Sequence, residues 1–550
     1  MPAGSPTSYK APRKRAKDAK ATTSSPVADN TALPDINIEA ELWQTAVKLR
    51  GNVAPADYKH YVLPLLFLRH LSLRYEQRHA ELEGQIHDPK SEYFTEDAKV
   101  AKSILEDPDE YKRTGSFIVP TKARWQYLVQ HAQDDDIKLK IDAAMELLER
   151  TYPDLRGVLP KIYAGSNLDR ENVTGIINLF ARDIFKADAN RNSDVLGRVY
   201  EYFITNFADT EGARGGEFLT PRSVVKLLVA MLAPKRGKVF DPACGSCGMF
   251  VQSDEFTGQS HELAFYGQER VDTTLRLGKM NLLLHGLNGD VQLGNSLLDD
   301  KHPNLKADFV VANPPFNQRE WGAGKIPPDD KRLRIGSRKI TPTDGNANYF
   351  WIANFLHHLK DGGTAGFVMA NGSMTTSVSE EKEARVALVE EDFVDCIVQL
   401  PDRLFFGSGI PVCLWFLSKN RDGRGPYRKR TGEILFIDAR TKGAMVNRRL
   451  RVLADAEIAE IAAVYQHYRE VEGERQEIPG FCKTATLADV RGHDHKLTPG
   501  IYVGTEQEES DDTAVAQKIV TLRSHVEAEF LKSNAIQERV LKALAHISPA

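Results

Sequence analysis

A chain of 550 residues with 41% hydrophobic content is too long for one core, since single cores stop growing beyond roughly 250–300 residues, and two or three domains are expected. The formal charge of -4 excludes global basicity as a source of polyanion affinity, which then has to come from local patches or from a partner. Five cysteines exclude a dense disulfide framework, no apolar run approaches the ~20 residues that span a bilayer, and a cytoplasmic protein with no membrane partner is expected.

Residues 1–36 are rich in Ser, Thr, Pro, Ala and Lys and have almost no large apolar side chains, so a disordered tail is expected there. From Ile38 onward, apolar residues such as Leu42, Val47, Tyr61, Leu65, Leu68 and Leu71 recur at spacings of three and four between charges. That pattern predicts an all-helical domain over residues 37–190. Residues 191–455 differ. Short apolar runs at 238–241, 264–267, 291–294, 308–312, 364–369, 394–400 and 412–417 are separated by helix-length stretches. Alternating strands and helices predict an α/β, Rossmann-like domain around a mostly parallel sheet, its last two runs forming an antiparallel hairpin. A helical region, 456–550, is expected to close the chain. Its stripe of Ile519, Leu522, Val526, Phe530, Ile536, Val540 and Leu544 reads equally as packing on its own protein or as a seat for a partner subunit.

The segment Val239-Phe-Asp241-Pro-Ala-Cys-Gly245-Ser-Cys-Gly248 has the form of a strand, a glycine turn and a helix start, the arrangement that lets backbone approach a ligand at a sheet edge. A second strand ends in an acid, Glu269, at the separation that suits a ribose. Neither the G-x-G-x-x-G spacing of a dinucleotide site nor a P-loop Lys-Ser/Thr is present. Asp241 at the strand end suits S-adenosylmethionine, whose amino group a carboxylate there can hold. Cys244 and Cys247 form a C-x-x-C without a second ligand pair nearby, so no metal is expected and both read as packing residues.

The run 308–312 leads directly into Asn313-Pro314-Pro315-Phe316. An amine conjugated into a purine becomes nucleophilic when two acceptors, the Asn313 side-chain oxygen and the Pro314 carbonyl, bind its hydrogens and turn the lone pair outward. The prolines hold those acceptors in place before substrate arrives, and Phe316 offers a flat face for the base. Because the amine is inaccessible in stacked DNA, the base has to be flipped.

Taken with Asp194-Val-Leu-Gly-Arg-Val-Tyr-Glu-Tyr, Gly216-Glu-Phe-Leu-Thr-Pro-Arg222 and Gly294-Asn-Ser-Leu297, these motifs resemble the modification subunit of type I restriction-modification systems. The similarity extends to Leu49-Arg-Gly51, Leu65-Leu-Phe-Leu-Arg69, Leu400-Pro401 and Pro499-Gly-Ile-Tyr502, and so covers most of residues 38–505. The resemblance implies an adenine-specific N6 DNA methyltransferase using S-adenosylmethionine. It implies that Glu217, Phe218, Leu219, Thr220, Pro221 and Arg222 line the methionine end of the cofactor, with Gly245, Ser246 and Cys247 at the loop, Glu269 at the ribose, and Asn295 and Ser296 near the adenine. Cys247 stands where the family often has glycine, and Leu219 where it often has an aromatic residue. The implied partners are double-stranded DNA, a specificity subunit flanked by two methylating subunits, and an endonuclease subunit for restriction.

Between Asn317 and Ile340, seven basic residues outnumber three acidic ones, so this loop reads as a phosphate contact or as a solvated surface. The same holds for Arg428, Lys429 and Arg430 with Arg448, Arg449 and Arg451. No dedicated base-reading module is evident, which agrees with a separate specificity subunit. Rival readings are methylation of RNA or a protein amide, and an idle DNA-binding scaffold. A cytosine C5 enzyme is disfavoured because Pro411-Val-Cys413 does not put cysteine directly after proline, and a nuclease built on Asp329-Asp330-Lys331 because no strand carries the lysine.

Overall fold

A computed structural model describes residues 38–51, 53–182, 193–211, 220–405, 411–448, 450–471 and 476–504, with isolated helical positions beyond. Two bodies of core follow the chain. The first is helical and is built around Pro55–His87, a helix of 33 residues. Leu65, Leu66, Phe67 and Leu68 are four consecutive residues of that helix with no exposure, so it is covered on every side, as a central helix must be. The helix Ser193–Glu211, read from sequence as opening the α/β part, buries Leu196, Val199, Tyr200, Phe203 and Phe207 in this helical core. Their spacing of three and four makes one stripe, and Trp43 meets Phe203 and Phe207 edge-on at 5.3 and 4.6 Å.

The second body is a nine-stranded sheet. Its strands are β1 (Gly237–Asp241), β2 (Leu263–Glu269), β3 (Gly289–Leu293), β4 (Ala307–Ala312) and β5 (Leu359–Ala370), then β6 (Val394–Gln399), β7 (Val412–Ser418), β8 (Glu433–Asp438) and β9 (Cys482–Thr486). Their spatial order is β9-β8-β6-β7-β5-β4-β1-β2-β3. Strand β7 runs antiparallel to β5 and β6, β9 runs antiparallel to β8, and the other pairings are parallel. The sheet is mixed, and the antiparallel β6–β7 pair agrees with the sequence reading. Helices Arg222–Leu232, Gly248–Phe256 and Asp455–Arg469 cover one face, while Asn348–His358 and Ser379–Glu390 cover the other. Side chains alternate accordingly: on β4, Val311 enters the first layer, and Val310 and Ala312 the second.

Two strands depart from expectation. Strand β8 lies in a segment given no strand, although Ile434 to Ile437 are buried. Strand β9 falls in the region read as helical. It sits at the sheet edge, where only Cys482 and Ala485 are buried, so its apolar signal is too short to stand out.

The helix Asp272–Leu284 joins the two bodies. Leu277 and Met280 belong to the helical core, while Leu275 and Leu282 face the sheet. Among the described residues, no helix is long and apolar enough to cross a membrane. Residues 1–36 and most of 505–550 lie outside the described residues.

Candidate active site

From β1 the chain steps outward to β2 and β3, then returns to β4 on the other side of β1. Such a reversal opens a crevice at the carboxyl ends of the strands, between β1 and β4. Phe240 lies opposite Val310 across that pair, so the segments after Asp241 and after Ala312 leave the same edge from strands about 4.8 Å apart. The glycine loop and the tetrapeptide are thereby brought together.

Asp241 is 2% exposed and accepts a hydrogen bond from the Ala243 N–H at 2.9 Å. Burial pushes its carboxyl up to about 8, against the pull of the Ala243 N–H and with help from the nearby Glu269. Glu269 ends β2 and braces the loop, its two carboxylate oxygens accepting from the Gly245 N–H at 3.0 Å and the Val271 N–H at 2.8 Å. Gly245 has φ of +52°, and a side chain there would meet no atom within 4 Å; the glycine serves the turn and leaves the space above it open.

Cys247 has φ of +61° immediately before the helix Gly248–Phe256. That backbone conformation favours glycine, so the cysteine here carries local strain. Its sulfur is buried toward helix Asp272–Leu284, where an added Cβ on Gly278 would stand 2.8 Å from the sulfur and 2.8 Å from the Gly245 carbonyl. Cys244 packs in the same way beside Gly267, at 3.0 Å from an added Cβ. A hydrogen bond with Cys247, together with burial, holds the Cys244 thiol protonated. From the same helix, Asn281 donates its amide to the Ser246 carbonyl at 2.9 Å.

Asn295 and Ser296 follow β3. Asn295 accepts from the Leu297 N–H at 3.1 Å, and the Ser296 hydroxyl donates to the Pro242 carbonyl, joining this loop to the glycine loop. Thr220 and Pro221 lead into helix Arg222–Leu232. The Arg222 guanidinium lies 3.2 Å from Glu201 and 3.7 Å from Glu255, so this side chain ties the helical body to the sheet. Glu217, Phe218 and Leu219 lie outside the described residues.

In the tetrapeptide Pro314 is buried, Asn313 and Phe316 are half-buried, and Pro315 is exposed. Phe405, in the loop after β6, meets Phe316 edge-on with ring centroids 6.1 Å apart.

Two basic clusters divide into structural and surface members. Arg332 is 6% exposed. It donates to the Ser296 carbonyl at 2.7 Å and the Leu297 carbonyl at 3.0 Å, pairs with Asp330 at 2.7 Å, and lies over the Phe350 ring at 5.1 Å. Arg319, Lys325, Lys331, Arg334, Arg338 and Lys339 are exposed. Arg430, read as a possible phosphate contact, is 1% exposed and bound to Asp395, and Arg428 pairs with Glu433 at 2.8 Å and lies over Tyr468. Both are corrected to internal ion pairs, while Arg448 remains on the surface. Asp330 likewise serves Arg332, which removes it from any nuclease-like set.

Sequence profiles of two families match, the HsdM N-terminal domain over residues 38–180 and N-6 DNA Methylase over residues 191–511. The chain is 43% identical over 479 residues to the type I restriction enzyme MjaIX methylase subunit of Methanocaldococcus jannaschii, spanning 86% of this chain and 84% of the relative.

The chain belongs to the type I restriction enzyme methylase subunits.

A second relative of this methylase subunit, that of HindI from Haemophilus influenzae, is 36% identical over 451 residues, spanning 78% of this chain and 99% of its own. The methyltransferase subunit of a type I system from Streptococcus thermophilus shares the fold with a TM-score of 0.69 at 24% identity, over 85% of this chain and 99% of its own. The methylase subunit is thus an adenine-specific DNA methyltransferase by family.

Proposed function

We propose that this methylase subunit transfers a methyl group from S-adenosylmethionine to the N6 amine of an adenine flipped out of duplex DNA. The observation that carries the reading is the convergence of the glycine loop with Asp241 and Glu269, and of Asn313-Pro314-Pro315-Phe316, on adjacent strand ends at one switch point. The cofactor supplies an electrophilic methyl on a sulfonium. A buried carboxyl at Asp241, which a facing ammonium would ionise, and an open space above Gly245 fit such a ligand: Asp241 faces its amino group, Glu269 its ribose, and Asn295 and Ser296 its adenine. Gly245, Ser246 and Cys247 form the turn, and Glu217 to Arg222 border the methionine end. The Asn313 oxygen and Pro314 carbonyl accept the two amine hydrogens, directing the nitrogen lone pair at the methyl group, and Phe316 supports the base.

The exposed cations between Arg319 and Lys339 supply contacts to DNA phosphates beside the site. Site choice belongs to a specificity subunit, with two methylase subunits on each, and an endonuclease subunit joins for restriction. Leu522, Val526 and Phe530 are helical and 59%, 54% and 66% exposed; an apolar stripe this open supports docking of the specificity subunit there. The test is transfer of labelled methyl to DNA by the chain with its specificity subunit, followed by sequencing for methylated adenines at a fixed motif. Asn313→Ala should abolish transfer and leave cofactor binding intact. Full transfer by that variant refutes the assignment.

A further inference from the structure

The exit of the tetrapeptide is held by a side chain that no sequence motif marks. Asn317, the residue directly after Phe316, has φ of +52°, a left-handed conformation that asparagine tolerates better than most residues but that needs local support. Asn348 gives that support through both ends of its carboxamide. Its oxygen accepts from the Asn317 N–H at 3.0 Å, and its nitrogen donates to the Asn317 side-chain oxygen at 2.9 Å. The Asn346 amide reaches the same Asn317 oxygen at 3.4 Å, a longer and more exposed bond.

Asn348 is 2% exposed and is the first residue of helix Asn348–His358, most of which is buried. The N-cap position of this helix is Ala347, whose side chain cannot cap, and Asn348 follows it as the first helical residue. The Asn348 N–H is satisfied instead by the Asn346 side-chain oxygen at 3.0 Å. The carboxamide of Asn348 is therefore directed at Asn317.

The neighbouring chain shows why this pair differs from general loop closure. Gln318, Glu320, Trp321, Gly322 and Ala323 are fastened to residues 343–347, chiefly through Asp344 and backbone groups. Those bonds fix the outer loop. The Asn317–Asn348 pair acts instead on the residue adjoining Phe316, through its backbone as well as its side chain. On its other side the tetrapeptide continues from β4, and Pro314 and Pro315 fix their own φ angles.

We propose that Asn348, acting through Asn317, is a positioning residue for methyl transfer: it clamps the downstream end of the tetrapeptide so that the Asn313 and Pro314 acceptors are aligned before the adenine enters. This rests on the reading of Asn313-Pro314-Pro315-Phe316 as the acceptor loop. The bonds of the pair run between Asn317, Asn346 and Asn348 and include no residue of the glycine loop and no basic side chain, so its loss should act chiefly on the rate of transfer.

The test uses the full chain assembled with its specificity subunit, measuring kcat, KM for DNA, cofactor Kd and melting temperature. Displacement of a reacting group by about 1 Å costs on the order of 100-fold, so Asn348→Ala should lower kcat by roughly 10- to 100-fold with KM and Kd within about twofold. Asn348→Asp, whose carboxylate can accept from the Asn317 N–H and from a turned Asn317 amide, should recover most of the rate. Asn317→Gly keeps the left-handed backbone and removes the side-chain half of the pair, so it should give an intermediate kcat, and it decides the matter if Asn348→Ala does not fold. An unchanged kcat in Asn348→Ala, or in Asn317→Gly where that variant decides, overturns the proposal. So does a loss of kcat matched by equal losses in cofactor affinity and melting temperature. Asn313→Ala, run alongside, separates the two readings: if it still methylates, the acceptor-loop assignment fails, whatever Asn348 does.

Discussion

With the cofactor's amino group placed at Asp241 as proposed, the protonation of that carboxyl makes cofactor binding a pH-dependent event of calculable size. With its carboxyl pushed up to about 8 by burial, the cofactor-free protein holds it neutral through the physiological range. A bound ammonium group stabilises the charged form, so binding below pH 8 has to expel one proton. For a group of pKa near 8 that is fully ionised in the complex, affinity rises about 50-fold between pH 6 and pH 8. Titration of the cofactor's own α-amino group, near 7.7–8.0, halves this to roughly 25-fold and puts the maximum close to pH 8. Calorimetry at pH 6.5 in buffers of different ionisation enthalpy should show close to one proton released per site. Asp241→Asn should flatten the profile. A pH-independent affinity in the wild-type protein, or an unchanged profile in Asp241→Asn, refutes the reasoning.

The same group sets a stability trend without cofactor. Its folded pKa lies above the unfolded value of about 3.9, so its contribution is full below pH 4 and is lost as the pH rises through 8; saturating cofactor should offset the loss, as melting curves would show. Arg332→Met removes a buried guanidinium, leaves the Ser296 and Leu297 carbonyls unpartnered and Asp330 with only the backbone N–H of residue 332, and should cost about 3–5 kcal/mol in denaturant unfolding while weakening cofactor binding. Unchanged stability would mean that the brace is dispensable. Gly278→Ala forces a methyl against Cys247 and the Gly245 carbonyl and should weaken cofactor affinity about tenfold. Gly84→Ala, with nothing within 4 Å, is the control that should leave affinity unchanged. Replacing Lys325, Lys331 and Arg334 together by glutamine should lower the salt dependence of DNA binding by about 0.9 in log–log slope for each phosphate no longer neutralised; an unchanged slope removes these side chains from the DNA surface.

Local structure was readable from sequence where it is carried by contiguous residues. A strand followed by Asp241-Pro-Ala-Cys-Gly245 and a strand followed by Asn313-Pro314-Pro315-Phe316 declare themselves, because the apolar run and the loop chemistry adjoin. Partnerships across the fold did not declare themselves. Arg332 and Arg430 have the same charge in sequence as Lys331 and Arg448, yet the first pair is buried on carboxylates and carbonyls and the second is exposed. Asn348 stands 31 residues from its partner in a stretch, Asn346-Ala-Asn348, that reads as an ordinary turn before a helix. Phe405 meets Phe316 only because the loop after β6 opens on the same sheet edge. Membership of helix Ser193–Glu211 in the helical core was hidden too, since a three-four stripe shows that a face is buried but not against what.

Helix Asp272–Leu284 belongs to both bodies at once. Leu277 and Met280 are set into the helical core, while Gly278 and Asn281, one residue along from each, touch the turn that holds Cys247 and Ser246. A transplant of the first 182 residues from a relative would therefore seat a foreign surface on a rod whose opposite side touches the turn proposed to hold the cofactor. Hybrids of this kind should bind S-adenosylmethionine poorly unless the inward-facing positions of that rod travel with the graft.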